Sequence, residues 1–387
     1  MMDWKKEEDK FVLPTYEKFP FVLERGEGCF VWDDEGNKYL DLYGGHAVCA
    51  LGHSPKAVCD AISEQSKKLL FYSNLVYHPE RARAAQRLAD LCGGGQVFFC
   101  NSGAEANENA MRVARLVTGR PMILATMGSF HGRTAGAMAA TGNPKYMKLS
   151  GLGASVAHVP FGDIAAASAM IDEQTAGVLL EPIQSMAGIV EPPEGYLEAL
   201  EKLCRERGAL LIFDEVQTGL GRVGARSAAE LFGVKPHLQT FAKALGSGVP
   251  AGAVLASPEI AAKVKQGDLG STFGGGPLAC AAVSATLGEI SGRKLWENAA
   301  KMEALVRETF KLPRIKAIRG KGLLLGIVLD GPSKAVRKAL LEKRILVGGA
   351  DDPNVIRLLP PLTVTESEIL TLRNALAEIF AGEAVAA

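Results

Sequence analysis

Apolar residues in this chain fall into short runs that end in polar ones. Between residues 92 and 275 the runs QVFFC (96–100), PMILAT (121–126), AGVLLE (176–181), ALLIFDE (209–215) and AGAVLAS (251–257) alternate with amphipathic stretches. A strand that is apolar on both faces must be covered on both, so the pattern predicts an α/β domain with a large, doubly wound, mostly parallel sheet. The C-terminal part reads differently. A helix-like stretch after Pro277, RGKGLLLGIVLD (319–330), another helix, RILVGG (344–349) and NVIRLLPPL (354–362) predict a smaller α+β domain. Near the start, GEGCFVWDDEGNKYLDL (26–42) places Asp34, Glu35, Gly36 and Asn37 between two β-rich runs, which predicts a hairpin. The expected organisation is an N-terminal segment (1–54) packing with the small domain, a large cofactor-binding domain (55–280) and a C-terminal small domain (281–387).

The length of 387 residues fits two or three such units. Lysine plus arginine balances aspartate plus glutamate at 43 each, so no net field draws the chain to nucleic acid or an anionic membrane, and small molecules are the expected partners. The seven cysteines are an odd number without C-x-x-C spacing, and the charged start MMDWKKEEDK lacks the apolar core of a secretory signal. With no run of about 18 apolar residues either, the expectation is a reduced, soluble, cytoplasmic protein.

In an open parallel sheet, ligands bind beyond the carboxyl ends of the strands, so the residues that follow each apolar run carry the chemistry. After QVFFC comes NSGAE, where Ser102 and Glu105 form a capping-box pattern for a helix over about 103–117 that stops at Gly119. The tetrapeptide alone signals only a well-capped helix. Gly103 and Ala104, however, leave bare amides at a helix start behind a strand, a seat suited to a phosphate. Asp214 closes ALLIFD, where a carboxylate can hold a pyridine nitrogen protonated, and Gln217 can reach a ring oxygen. Lys243 lies among Ala242, Ala244, Leu245 and Gly246, surroundings that suit a desolvated amine better than a solvated charge. Phe130 and Arg133, after PMILAT, offer a stacking face and a bidentate carboxylate donor.

Through RGEGCFVWDDEGNKYLDL, LGHSPKAV, NSGAEANENAMRVAR, SFHGRT, LLEPIQ, LIFDEVQTGLGRVG, AKALGSGVP, STFGGGPLA and RGKGLLLGI, the sequence resembles the class III aminotransferases of pyridoxal-phosphate fold type I over nearly its whole length. The resemblance implies pyridoxal 5'-phosphate as cofactor, bound covalently to Lys243. It implies phosphate contacts from Ser102, Gly103 and Ala104, ring stacking on Phe130, Asp214 at the ring nitrogen, and Val216 and Gln217 beside the ring. It also implies a homodimer in which Thr272 reaches the neighbouring subunit's cofactor, with Ser271 near the substrate. Arg133 and Arg357 are the implied carboxylate clamps, and His46 the implied pocket wall.

The reaction the resemblance implies moves the δ-amino group of N-acetylornithine, or a similar acylated diamino acid, to 2-oxoglutarate, giving the semialdehyde and glutamate. N-succinylornithine, carrier-bound lysine, ornithine and 4-aminobutyrate are alternative donors. A catalytically silent binding protein on the same fold is a distant alternative, against which the retention of Lys243 and Asp214 speaks. Three positions depart from the family pattern. Met186 stands in EPIQSMAG where relatives usually carry a glutamate that masks the second arginine, His46 stands where isoleucine or tyrosine is common, and Gly276 replaces a usual asparagine.

Overall fold

The computed structural model describes residues 2–144, 146, 147 and 155–386. Seven strands form the large sheet, in the spatial order Gln96–Cys100, Gly252–Ala256, Leu238–Phe241, Leu210–Asp214, Thr175–Leu180, Met122–Thr126 and Val156–Val159. Four inner strands, Gly252–Ala256, Leu238–Phe241, Leu210–Asp214 and Thr175–Leu180, are buried along their whole length.

The sheet is parallel except for Gly252–Ala256, which runs antiparallel to both neighbours. The pattern of AGAVLAS marks a buried strand but not its direction. Direction follows from the connection: residues 242–251 contain only a single 3₁₀ turn, Lys243–Leu245, too little chain for the crossover a parallel return needs. Two further strands, Val156–Val159 and Leu238–Phe241, were not among the runs singled out from the sequence.

The hairpin forms as expected, Phe30–Asp33 pairing with Lys38–Asp41. Asp33 closes its turn by accepting from the Glu35 and Asn37 amides and the Tyr39 hydroxyl. This four-stranded sheet is completed by Leu23–Glu27, antiparallel to Phe30–Asp33, and by Ile345–Leu346, parallel to Lys38–Asp41. A third, antiparallel sheet has the order Ile315–Lys321, Leu324–Leu329, Val355–Leu358, Gly348–Gly349. Helix Pro277–Gly292 is apolar on nearly every side and packs on helices Lys56–Lys68 and Pro79–Cys92 within the largest apolar cluster. Gly276 is its N-cap and offers no side chain to the helix, and a β-carbon there would lie 3.1 Å from the Phe273 carbonyl.

Candidate active site

Five strands of the large sheet end at one rim. Their following residues line a cavity of about 650 Å³: Ser102 after Cys100, Phe130 to Arg133 beyond Thr126, Glu181 after Leu180, Asp214 itself, and Lys243 beyond Phe241. Convergence at one rim is what a parallel sheet imposes, because every strand presents its carboxyl end on the same side.

Helix Gly103–Thr118 begins at the rim. Ser102 is its N-cap, with the side-chain hydroxyl accepting from the Glu105 amide at 3.2 Å. The reciprocal half of the box is displaced by one residue: Glu105 accepts from the Asn101 amide at 2.7 Å, not from that of Ser102. Gly103 and Ala104 line the cavity at a helix end whose first amides have no intrahelical acceptor. The site is tight for anything larger, since a β-carbon on Gly103 would meet the Val216 methyls at 3.0–3.1 Å.

Asp214 is 3% exposed and held on several sides. The imidazole Nδ1 of His131 lies 2.7 Å from Oδ2, the Asn107 amide donates to Oδ2 at 2.7 Å, and the Val216 backbone donates to Oδ1 at 3.1 Å. Thr240 locks Asn107 by donating to its Oδ1 at 2.7 Å, and Asn107 also donates to the His131 carbonyl. These partners fix the rotamer of the carboxylate and satisfy a buried charge that would otherwise be costly.

Lys243 adopts a left-handed backbone (φ 46°), uncommon for a residue with a β-carbon, and heads the 3₁₀ turn. Burial pushes its amine below the ordinary lysine value, assisted by Arg357 and opposed by Asp214 and Glu181. No hydrogen bond or ion pair to its Nζ occurs among the described residues.

Two arginines reach the cavity, one from the rim itself and one from another sheet. Arg133 is exposed at the mouth, donates to the Tyr16 hydroxyl at 2.9 Å and lies 5.9 Å from the Phe130 ring centre. Arg357 arrives on Val355–Leu358 of the third sheet and is 4% exposed. Its guanidinium donates to Tyr43 Oη at 2.9 Å, to Ser185 Oγ at 3.2 Å and to the Gly349 carbonyl, all neutral oxygens.

His46 reaches the cavity on a turn in which four consecutive residues, Gly44, Gly45, His46 and Ala47, have φ between 55° and 67°. For His46 and Ala47 this conformation costs roughly 1–2 kcal/mol each. Asp41 secures it by accepting from the Tyr43 and Gly44 amides while bonding His53 at 2.8 Å, and that bond lifts His53 to about 10. The His46 imidazole stays neutral, its pKa lowered by burial and by the charges of Arg357, Lys243 and Arg133.

Residues 12–380 match the class-III aminotransferase family. The chain belongs to that family. It is 44% identical to the acetylornithine aminotransferase of Methanothermobacter thermautotrophicus over 94% of each chain, and 45% identical to that of Streptomyces coelicolor over 92% of this chain and 90% of the relative. The solved acetylornithine aminotransferase of Elizabethkingia anophelis superposes with a TM-score of 0.85 at 33% identity, covering 97% of each chain. The ornithine aminotransferase of Toxoplasma gondii ME49 superposes with a TM-score of 0.92 at 30% identity, covering 100% of this chain and 96% of its own.

This class-III aminotransferase is therefore a pyridoxal-phosphate-dependent transaminase. The cavity fits the cofactor on its own evidence. His131 Nε2 and Gln217 Oε1 are buried at its wall with no partner among the described residues, beside a lysine amine and bare helix amides.

Most of the residues singled out from the sequence line this cavity: His46, Ser102, Gly103, Ala104, Phe130, Arg133, Asp214, Val216, Gln217, Lys243 and Arg357, with Met186 beside them. Ser271 and Thr272 do not. Ser271 accepts from the Gly274 amide, and Thr272 is exposed. Asn107 had no distinct signal beyond its helical spacing from Gly103 and Ala104. Tyr43, Ser185, Tyr16 and Thr240 had none.

Proposed function

We propose that this enzyme transfers the δ-amino group of an N-acylated ornithine, N-acetylornithine first, to 2-oxoglutarate, acting as a cytoplasmic homodimer. The observation that carries the reading is the placement of two guanidinium groups in the cavity of Lys243, one exposed at the mouth and one enclosed. A dicarboxylate acceptor suits both arginines, and a donor with one carboxylate and a neutral acyl group suits Arg133 alone. The acetylornithine aminotransferase relatives support the same donor.

The residues divide the work. Gly103 and Ala104, with the Ser102 cap, would hold the cofactor phosphate, Phe130 would cover the ring, and Val216 and Gln217 would lie beside it. When bound, the cofactor supplies a conjugated pyridine ring that takes up the electrons released when the donor's C–H bond breaks. Asp214, oriented by His131 and Asn107, would stabilise positive charge at the ring nitrogen. The Lys243 amine, its basicity lowered by burial, would take the proton from the amine-bearing carbon of the donor. Arg357 and Arg133 orient the α- and γ-carboxylates of 2-oxoglutarate.

Assembly with a second copy is supported by the exposed apolar stretch Leu70, Phe71, Tyr72, Leu75 and Tyr77, against which Phe273 packs (Phe71 to Phe273 ring centres 5.1 Å). Ser271 and Thr272 precede Phe273, outside this chain's own cavity, where a partner's site could use them. No helix among the described residues is long and apolar enough to cross a membrane.

A donor panel with 2-oxoglutarate tests the substrate. N-acetylornithine is expected to give the highest kcat/KM among N-acetylornithine, N-succinylornithine, ornithine, carrier-bound lysine and 4-aminobutyrate, and a free diamine or 4-aminobutyrate at the top would overturn the assignment.

A further inference from the structure

Glu181 is a buried acid at the cavity wall to which the reaction outlined above assigns no role. It follows strand Thr175–Leu180, is 3% exposed and lines the cavity. Its two carboxylate oxygens serve two different loops. Oε1 accepts from the Phe130 amide at 2.8 Å, and Oε2 accepts from the Ser185 amide at 3.2 Å. Phe130 supplies the ring-stacking face, and Ser185 Oγ receives one N–H of Arg357. A single carboxylate therefore ties together the two surfaces that must be in register for a substrate carboxylate and the cofactor ring to be held at once.

We propose that Glu181 is a positioning residue whose ionised form aligns the Phe130 face with the Arg357 clamp and thereby sets the affinity for 2-oxoglutarate and glutamate without touching either. The inference rests on the roles assigned to Phe130 and Arg357 under the proposed function. Only the carboxylate accepts at both oxygens with equal strength. A protonated acid keeps one good acceptor and turns the other into a donor, which has no use opposite an N–H. Charged groups face it from every side: Asp214 at the end of Leu210–Asp214, His131 on the loop beyond Met122–Thr126, Lys243 beyond Leu238–Phe241, and Arg357, through Ser185, on Val355–Leu358. Burial and then Asp214 raise its pKa to about 7, against the lowering effect of His131 and the two amides. Acidification through neutrality would thus loosen one of the two loops.

The test is steady-state and half-reaction kinetics of the holoenzyme with 2-oxoglutarate and glutamate, as a function of pH. In wild type, kcat/KM for 2-oxoglutarate should fall as pH drops through about 7, the value burial imposes. Glu181→Gln should raise the KM for 2-oxoglutarate roughly ten-fold, with a smaller change in kcat, and flatten that acid limb. Glu181→Asp should restore part of both. Ser185→Ala, which keeps the backbone amide but removes the hydroxyl under Arg357, should raise the same KM and be non-additive with Glu181→Gln. An unchanged KM and acid limb in Glu181→Gln, or additive effects in the double variant, overturns the proposal. If Glu181→Gln fails to fold, Glu181→Asp and Ser185→Ala decide alone: wild-type KM and limb in both overturn it. A wild-type enzyme that does not use 2-oxoglutarate at all would instead overturn the functional reading, which separates the two failures.

Discussion

Asp214 and Arg357 are charged, nearly enclosed and part of the same cavity, yet their partners differ in kind. Asp214 accepts from a carboxamide and a backbone amide and lies 2.7 Å from an imidazole nitrogen, so its oxygens are hydrogen-bonded before any ligand arrives. Arg357 meets a phenol, a serine hydroxyl and a carbonyl, which fix its direction without cancelling its charge. A buried cation aimed by neutral oxygens keeps its attraction for an anion, whereas one paired with a carboxylate has spent it. Under the proposed function, the difference makes Asp214 a fixed part of the cofactor site and leaves the Arg357 charge available to a substrate carboxylate.

The largest expected effect comes from the Asp214 side. Asp214→Asn keeps the shape but removes the charge opposite the ring nitrogen, and single-turnover amino transfer should slow by more than about a hundred-fold with little change in donor affinity. A wild-type single-turnover rate would remove Asp214 from the chemistry. On the open side, Arg357→Lys retains a charge but loses the planar fork. The KM for 2-oxoglutarate should rise by roughly 10–100-fold while the donor half-reaction changes less, and equal effects on both halves would mean that Arg357 serves donor and acceptor alike.

The smallest and sharpest test converts one side into the other. Met186 lines the cavity next to Ser185, so Met186→Glu places a carboxylate within reach of the uncompensated guanidinium. Masking Arg357 should shift the ratio of kcat/KM for free over acylated ornithine towards the free form by about five-fold, since roughly 1 kcal/mol of like-charge repulsion is relieved at partly solvated separations. A ratio that stays put, or moves towards the acylated donor, would show that Arg357 is governed by something other than the residue at 186.

The two sides were not equally legible. Asp214 and the Gly103–Ala104 seat could be read directly, because each sits at the end of a short apolar run and a parallel sheet brings such ends to one rim; Lys243 was read from its small and apolar neighbours, its own strand Leu238–Phe241 being too polar to stand out. The fold class followed from the same runs. Arg357 was found only through the family resemblance, as its strand belongs to a different sheet and its own neighbours in sequence are apolar. The grip on Asp214 was hidden for a related reason: Asn107, His131 and Thr240 are far apart in sequence and meet only when one helix and two strands pack together.

Strand and helix runs, the hairpin turn and the capped helix start are local matters, settled by side-chain periodicity and backbone preference within a few residues. The antiparallel direction of Gly252–Ala256, the left-handed turn that delivers His46, the neutral cradle of Arg357 and the bridge made by Glu181 were settled by tertiary packing. Each depends on which distant groups can reach a given N–H or charge after burial has removed water as the alternative partner, and a linear pattern of apolar and polar residues does not encode those distances.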